Sequence, residues 1–308
     1  MTAVATSGLT TGVGHRSRKF KNNLATVLVT LAFGVALIPL VWLLWTVVGK
    51  GYHAITRSGW FTSDTGTRTF SDPGGGAIHA IIGTAEQVAL CSLISVPIAI
   101  LVGIYLVEYG RGPLAKATTF MVDILSGVPS IVAALFIYAV FVTTFHGHRE
   151  GWLVSLALVL LMIPVIVRTT EEMLKLVPNE LREASYALGV PKWKTIARIV
   201  VPTALTGIIT GIVLGIARVA GETAPLLILV GFKPTTNSNL FSNDYQASLP
   251  GMINDQVQNL GAKNSFTGKP IHNYAVDRMW GAALTLIIIV MGLNLIARLL
   301  GRFNKVSS

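Results

Sequence analysis

Six stretches of this 308-residue chain run without a charged residue over lengths that match a hydrocarbon layer. Lys21 and Lys50 enclose 28 uncharged positions, Glu86 and Glu108 enclose 21, and Asp123 and Arg149 enclose 25. Glu150 to Arg168 encloses 17, while Arg198 to Arg218 and Arg278 to Arg298 enclose 19 each. A helix needs about 20 apolar residues to cross a core about 30 Å thick. Lipid offers no partner to an open backbone group, so spans of this kind must be helices. The pattern predicts an all-α integral membrane chain with six transmembrane helices, over 24–48, 80–107, 119–144, 152–168, 203–231 and 279–299.

Composition supports this. Only 12% of residues are charged and 52% are apolar, against about 25% charged in an ordinary soluble domain. A soluble enzyme, a disordered chain and a nucleic-acid-binding domain are thereby ruled out. The net charge of +10 has a membrane explanation, because Lys and Arg accumulate in cytoplasmic loops. Segments on the side of the termini (1–21, 108–119, 168–202, 298–308) hold 15 Lys and Arg in 79 residues, and those opposite hold 8 in 86. Both termini are therefore expected in the cytoplasm. The single cysteine, Cys91, excludes a disulfide framework or a multi-thiolate metal site. The first apolar run follows basic residues but is nearly twice as long as the apolar part of a secretory signal, so it reads as an anchor.

The expected organisation is a cytoplasmic tail (1–21), an anchor with an outer loop (22–79), a permease domain (80–299) containing a cytoplasmic loop (168–202), and a second tail (300–308). The outer segments 49–79 and 232–279 carry turn chemistry, including Gly74-Gly75-Gly76 and the asparagines at 237, 239, 243, 254, 259, 264 and 273. As loops they serve either as connectors or as a docking surface. His146, His148 and Glu150 alternate in the short outer loop, but a ligand is missing for a metal site. Asp123 and Glu86 read as hydrated interfacial charges. Ser130, after Pro129, reads as relieving a helix kink.

The cytoplasmic loop has internal structure. Pro178 suits the first position of a helix, and Leu181, Ala184, Ser185 and Leu188 follow on one face. Gly189 is a natural stop. Pro191 opens a second helix with Trp193, Ile196 and Ile199-Val200 on its apolar side, and Pro202 closes the module. Small Ala184 and Ser185 would let another protein approach closely.

Glu183-Ala184-Ser185, then Gly189, then Ile199-Val200-Val201-Pro202 resembles the EAA loop, E-A-A-x3-G-x9-I-x-L-P, of ABC importer permeases, with Ser185 and Val201 as mild departures. The resemblance implies the type I importer permease fold, and a loop that docks into the ATPase subunit through Glu183, Ala184, Ser185, Gly189, Ile199 and Pro202. No G-x-x-x-x-G-K-[ST] sequence occurs, so the chain has no phosphate-cradling loop of its own. It is expected to be a non-catalytic subunit that binds no cofactor, with ATP and magnesium held by the partner ATPase.

Arg218 and Glu222 are the opposite charges set deep in a span, and their four-residue spacing places them on one helix face. Charges at membrane depth are costly and face a pathway or a partner. Arg218 offers a planar fork of donors to an oxyanion, and Glu222 would hold Arg218 when the pathway is empty or accept a proton-borne hydrogen bond from phosphate. A purely structural ion pair is the alternative. Gly207, Gly211 and Gly215 form a small-residue ridge on the same span, a plausible sliding surface against a second permease. Gly221 and Pro225 could break the helix.

Ala217-Arg218-Val219-Ala220-Gly221-Glu222-Thr223-Ala224-Pro225 is similar to the A-R-x-x-G-E-T-A-P signature of phosphate permeases of the PstA type. Gly127-Val128-Pro129-Ser130-Ile131-Val132 and Tyr105-Leu106-Val107-Glu108-Tyr109 resemble segments of the same family. Sulfate and molybdate permeases share the A-R-x-x-G-E core, so those oxyanions remain alternatives, with a non-transporting scaffold or signalling subunit further off. The resemblance implies Arg218, Glu222 and Thr223 on the substrate pathway. It also implies a second permease of the PstC type, an ATPase dimer of the PstB type and an extracytoplasmic phosphate-binding protein of the PstS type. Inorganic phosphate and membrane lipid are the other expected partners; nucleic acid is not one.

Overall fold

The computed structural model describes residues 13–259 and 273–303, and all regular structure among them is helical. The first twelve residues of the N-terminal tail, Asn264 and the last five residues lie outside the described residues. The chain divides at Gly49/Lys50 into two compact units.

The described part of the first unit is one uninterrupted helix, the larger part of α1 (Val13–Ile55). Its side chains from Arg18 to Trp45 are exposed, and they include Leu28, Phe33, Ile38 and Trp42. A helix that is apolar on every side belongs in lipid. Residues 13–21 of the tail expected over 1–21 are helical.

The second unit is built around α5 (Gly151–Lys175). Two thirds of its most apolar window is buried, against 28% or less in the other four helices of spanning length. Leu158, Met162 and Ile166 pack from it into the main cluster. α2 (Ile78–Ile104) makes the most extensive contact with α5 and continues as a wider π-turn over Tyr105–Tyr109. α8 (Val201–Ala220) packs on another side of α5, and α11 (Tyr274–Phe303) packs against α8. Five helices are long and apolar enough to span a membrane, or six if one bent pair counts as a single span.

That pair corrects the expected third span. Instead of one helix over 119–144, α3 (Pro113–Gly127) and α4 (Ser130–Ile137, continuing as a π-turn to Thr144) meet at 105°. Pro129 lacks an N–H and pushes the residue before it out of helical geometry. Val128 and Pro129 are accordingly extended, with ψ of 125° and 140°. The result is a break, where the sequence suggested a kink.

The loop after α5 also differs in detail. α5 runs to Lys175, beyond the expected end at 168. α6 (Asn179–Ala187) follows Pro178, and Gly189 turns the chain with φ +74°. α7 (Lys192–Thr195) does not stop at Pro202; it passes through a π-turn over Ile196–Val200 straight into α8, where Pro202 occupies the first turn. Pro202 lacks the N–H that an interior helical position would use, and it falls directly after the π-turn, where the regular α-helical hydrogen-bond ladder is already interrupted. α9 (Ala224–Leu229) completes the fifth span after a break at Gly221–Thr223.

At the opposite end of the bundle, the segments before α2 and before α11 form one cap. α10 (Leu249–Val257) packs on α11 and α2. Arg278, 1% exposed, donates to the carbonyl oxygens of Thr69, Asp72 and Gly74 and to Gln256 Oε1. Trp60 Nε1 donates to Thr285 Oγ1 at 3.0 Å, and Gly66 N to Pro234 O at 2.9 Å. The Asp72 carboxyl is held below its ordinary range by the Thr69 backbone N–H and hydroxyl. These segments are a folded cap, more than connectors. Glu86, expected as a hydrated charge, accepts from Gln246 Nε2 beneath this cap.

Candidate functional site

Arg218 lies in the last turn of α8 and faces a cavity of about 250 Å³ at the break between α3 and α4. Leu125, Ser126 and Val128 line it from the break, and Arg168 and Thr169 from α5. Arg168 is held from two sides: Nη2 donates to Asp123 Oδ1, and Nη1 to Glu171 Oε2 at 2.8 Å. Lys175 Nζ donates to the other Glu171 oxygen at 2.7 Å. Arg218 has no ion pair and no side-chain hydrogen bond among the described residues. The cavity is therefore lined by one guanidinium paired with carboxylates and one without an ion pair among the described residues. A free guanidinium offers five donors in a planar fork, the geometry that carboxylates, phosphates and similar oxyanions match.

The expectation that Arg218 and Glu222 share a helix face is corrected. α8 ends at Ala220, and Gly221 turns the chain, with Glu222 N donating to Val219 O. No ion pair joins Glu222 to Arg218 among the described residues, so Glu222 is not the counter-ion of Arg218 in this conformation. Thr223 is exposed at the position preceding α9.

The glycine ridge is also placed differently. Gly207, Gly211 and Gly215 face Met173, Thr169 and the Met162/Ile166 pair of α5. It is a contact inside this chain, not a surface left for another permease. In lipid, close backbone approach through small residues is a main source of helix association.

In the loop after α5, Glu183 and Ala184 are exposed, but Ser185 is 3% exposed and its hydroxyl bonds Thr195 Oγ1 at 2.8 Å. Ser185 therefore pins α6 to α7 and is unavailable to a visitor. Leu181, Leu188 and Trp193 are 41%, 83% and 65% exposed, while Ile196 and Val200 are buried. Trp193 thus faces away from the buried side it was expected to join. Ile199 is half-buried and Pro202 exposed.

Arg168 and Ser126 were missed in the sequence. Arg168 served there as a span boundary; the readable signal was its opposite charge to Asp123, at span ends expected on the same side.

A family profile described as "Binding-protein-dependent transport system inner membrane component" matches residues 95–304. The chain is 50% identical over 283 residues to "Phosphate transport system permease protein PstA 1" of Mycobacterium tuberculosis, covering 92% of this chain and 89% of that protein. It is 40% identical to the PstA protein of Pasteurella multocida, with 92% and 95% covered. Among solved structures, it is similar to a chain of a bacterial alginate ABC transporter (TM-score 0.64, 14% identity, 94% of this chain and 99% of that one). It is also similar to one of the MetNI methionine ABC transporter (TM-score 0.55, 17% identity, 75% and 94%).

Proposed function

From the premise that this chain belongs to the PstA family of binding-protein-dependent inner-membrane permeases, we propose that it is the permease subunit of an ATP-driven phosphate importer. It is a multi-pass, non-catalytic subunit. The observation that carries the substrate class is the Arg218 guanidinium, unpaired among the described residues, lining the cavity at the α3–α4 break together with Arg168.

Phosphate passing this point meets Arg218 as a bidentate donor and the Ser126 and Thr169 hydroxyls as neighbours. Glu222, without an ion pair among the described residues, is a carboxylate to which a protonated oxyanion can donate. Phosphate carries such a proton at neutral pH and sulfate does not, which favours phosphate among oxyanions. Arg218, Glu222 and Thr223 are thus the pathway residues of this reading, joined by Arg168.

The loop of α6 and α7 faces the cytoplasm with both termini, and its exposed Leu181, Ala184 and Leu188 meet the ATPase. Gly189 and the Ser185–Thr195 hydrogen bond hold that face in shape. A second, PstC-type permease completes the pathway, a PstB-type ATPase dimer binds ATP and magnesium, and a PstS-type protein delivers phosphate to the cap. ATP-driven closure of the ATPase dimer moves the loop, and the spans rock between outward and inward access.

The test is labelled-phosphate uptake in cells lacking this chain, with and without its restoration, and with sulfate and molybdate as competitors. Uptake that returns and resists both competitors is expected. Return of a different oxyanion corrects the substrate, and no uptake of any ion by an assembled complex overturns the transport reading.

A further inference from the structure

Arg182 is one of two residues of α6 covered by the rest of the chain, with Ser185, and forms the one strongly covered ion pair among the described residues. Its side chain is 13% exposed and that of Glu108, on the last π-turn of α2, is 5% exposed. Nε and Nη2 donate to Glu108 Oε1 at 3.1 and 2.9 Å. The same guanidinium donates from Nη2 to Leu174 O at 2.9 Å and from Nη1 to Val177 O at 2.6 Å, where α5 ends. From α7, Lys192 Nζ donates to the Glu108 carbonyl oxygen and lies 4.5 Å from the Tyr109 ring centroid.

The backbone alone makes α6 a poor lever. It is joined to α5 through Leu176–Pro178 and to α7 through Gly189, and both joints can absorb rotation. Arg182 removes that freedom by bonding the ends of α2 and α5 at once. α2 and α5 are also the pair most extensively packed together, and α5 carries Arg168 into the cavity.

We propose that Arg182 and Glu108 form a strut that carries displacement of the cytoplasmic loop into α2 and α5. Both are positioning residues: neither lies at the cavity, and they act through α5. This rests on the importer reading above.

The test uses the full complex of both permeases, ATPase and binding protein in lipid vesicles, with R182A, E108Q and the double variant. Phosphate accumulated and ATP hydrolysed are measured together. The ATPase should stay bound, because the exposed face of α6 is untouched. Phosphate moved per ATP should fall about 10-fold in each single variant, within the usual range of coupling between sites. The double variant should be no worse than the worse single, because both remove one link.

A second readout needs no phosphate. Spin labels at Arg111→Cys and Ala187→Cys should hold one narrow distance through nucleotide addition, and E108Q should broaden or shift it. A wild-type complex that keeps the narrow distance but moves no phosphate refutes the substrate and leaves the strut standing. Wild-type coupling and wild-type distances in E108Q overturn the strut. So does a double variant whose loss is the product of the two single losses, or loss of assembly in both single variants, which assigns the pair a purely structural role.

Discussion

A methyl group added to Gly211 of α8 would stand 2.3 Å from Cγ2 of Thr169 on α5. No relaxed carbon pair comes this close, so Gly211 sets how near the two helices can approach. Thr169 also lines the cavity that Arg218 faces, and the same contact therefore positions the proposed pathway.

A graded series on the glycine ridge follows. Gly211→Ala should cost about 1–3 kcal/mol, the usual range for overpacking, since Thr169 is β-branched and stiff. Gly207→Ala meets Met173 Sδ at 2.1 Å, but that side chain can swing aside, so its cost should be smaller. Gly215→Ala finds its nearest atom at 3.4 Å and should be close to neutral. Melting of the detergent-solubilised complex orders the three; equal midpoints would contradict the packing described.

Arg218→Gln should reduce phosphate uptake at least about 10-fold in an assembled complex, since one charge-assisted hydrogen bond is worth about 1.5–3 kcal/mol. Arg168→Gln should lose uptake and stability together, because it takes away the partner of Asp123 and leaves Glu171 to Lys175 alone. Normal uptake by Arg218→Gln, with the subunit present at wild-type level, would remove Arg218 from the pathway.

Arg278→Met should destabilise the cap by roughly 3 kcal/mol or more, because three carbonyl oxygens lose their donor at about 1–3 kcal/mol for each buried group left unsatisfied. Arg278→Lys should recover part of this. Limited proteolysis within 60–76 measures it, with accelerated cleavage expected in the Met variant at unchanged membrane insertion.

Asp72 provides a pH dependence. Its carboxyl is held below the ordinary value by the Thr69 N–H and hydroxyl, so its contribution is complete above the unfolded carboxylate value. That contribution is lost as pH falls through the lower folded value. The 60–76 segment should resist protease at neutral pH and become cleavable in acid. Asp72→Asn should already be cleaved faster at neutral pH, with a flatter acid dependence; an unchanged profile in that variant would assign the acid response elsewhere.

The spans, the loop between the fourth and fifth of them, and the stop at Gly189 were readable in the sequence because each depends on residues adjacent in the chain. The charge-free runs report a free energy of transfer into lipid that accumulates along a single helix. Gly221 was likewise readable as a possible break. The angle at Pro129 was not, because proline dictates that a helix is interrupted and leaves the direction of the next segment to its packing. Arg168, Arg278 and Glu108 looked like span boundaries, and each turned out to be a bonded partner.

The sequence by itself determined which stretches are long and apolar enough to cross a membrane, where its motifs lie along the helices, and which family it resembles. Tertiary structure decided which charges meet. Glu108 finds Arg182 across 74 residues, Arg278 finds the carbonyls of a loop some 200 residues earlier, and Arg218 is separated from Glu222 by one turn at Gly221. Insertion energy depends on composition within a span and is local. Pairing depends on where side chains point after helices pack, and backbone carbonyls, which take several of these bonds, carry no mark in the sequence.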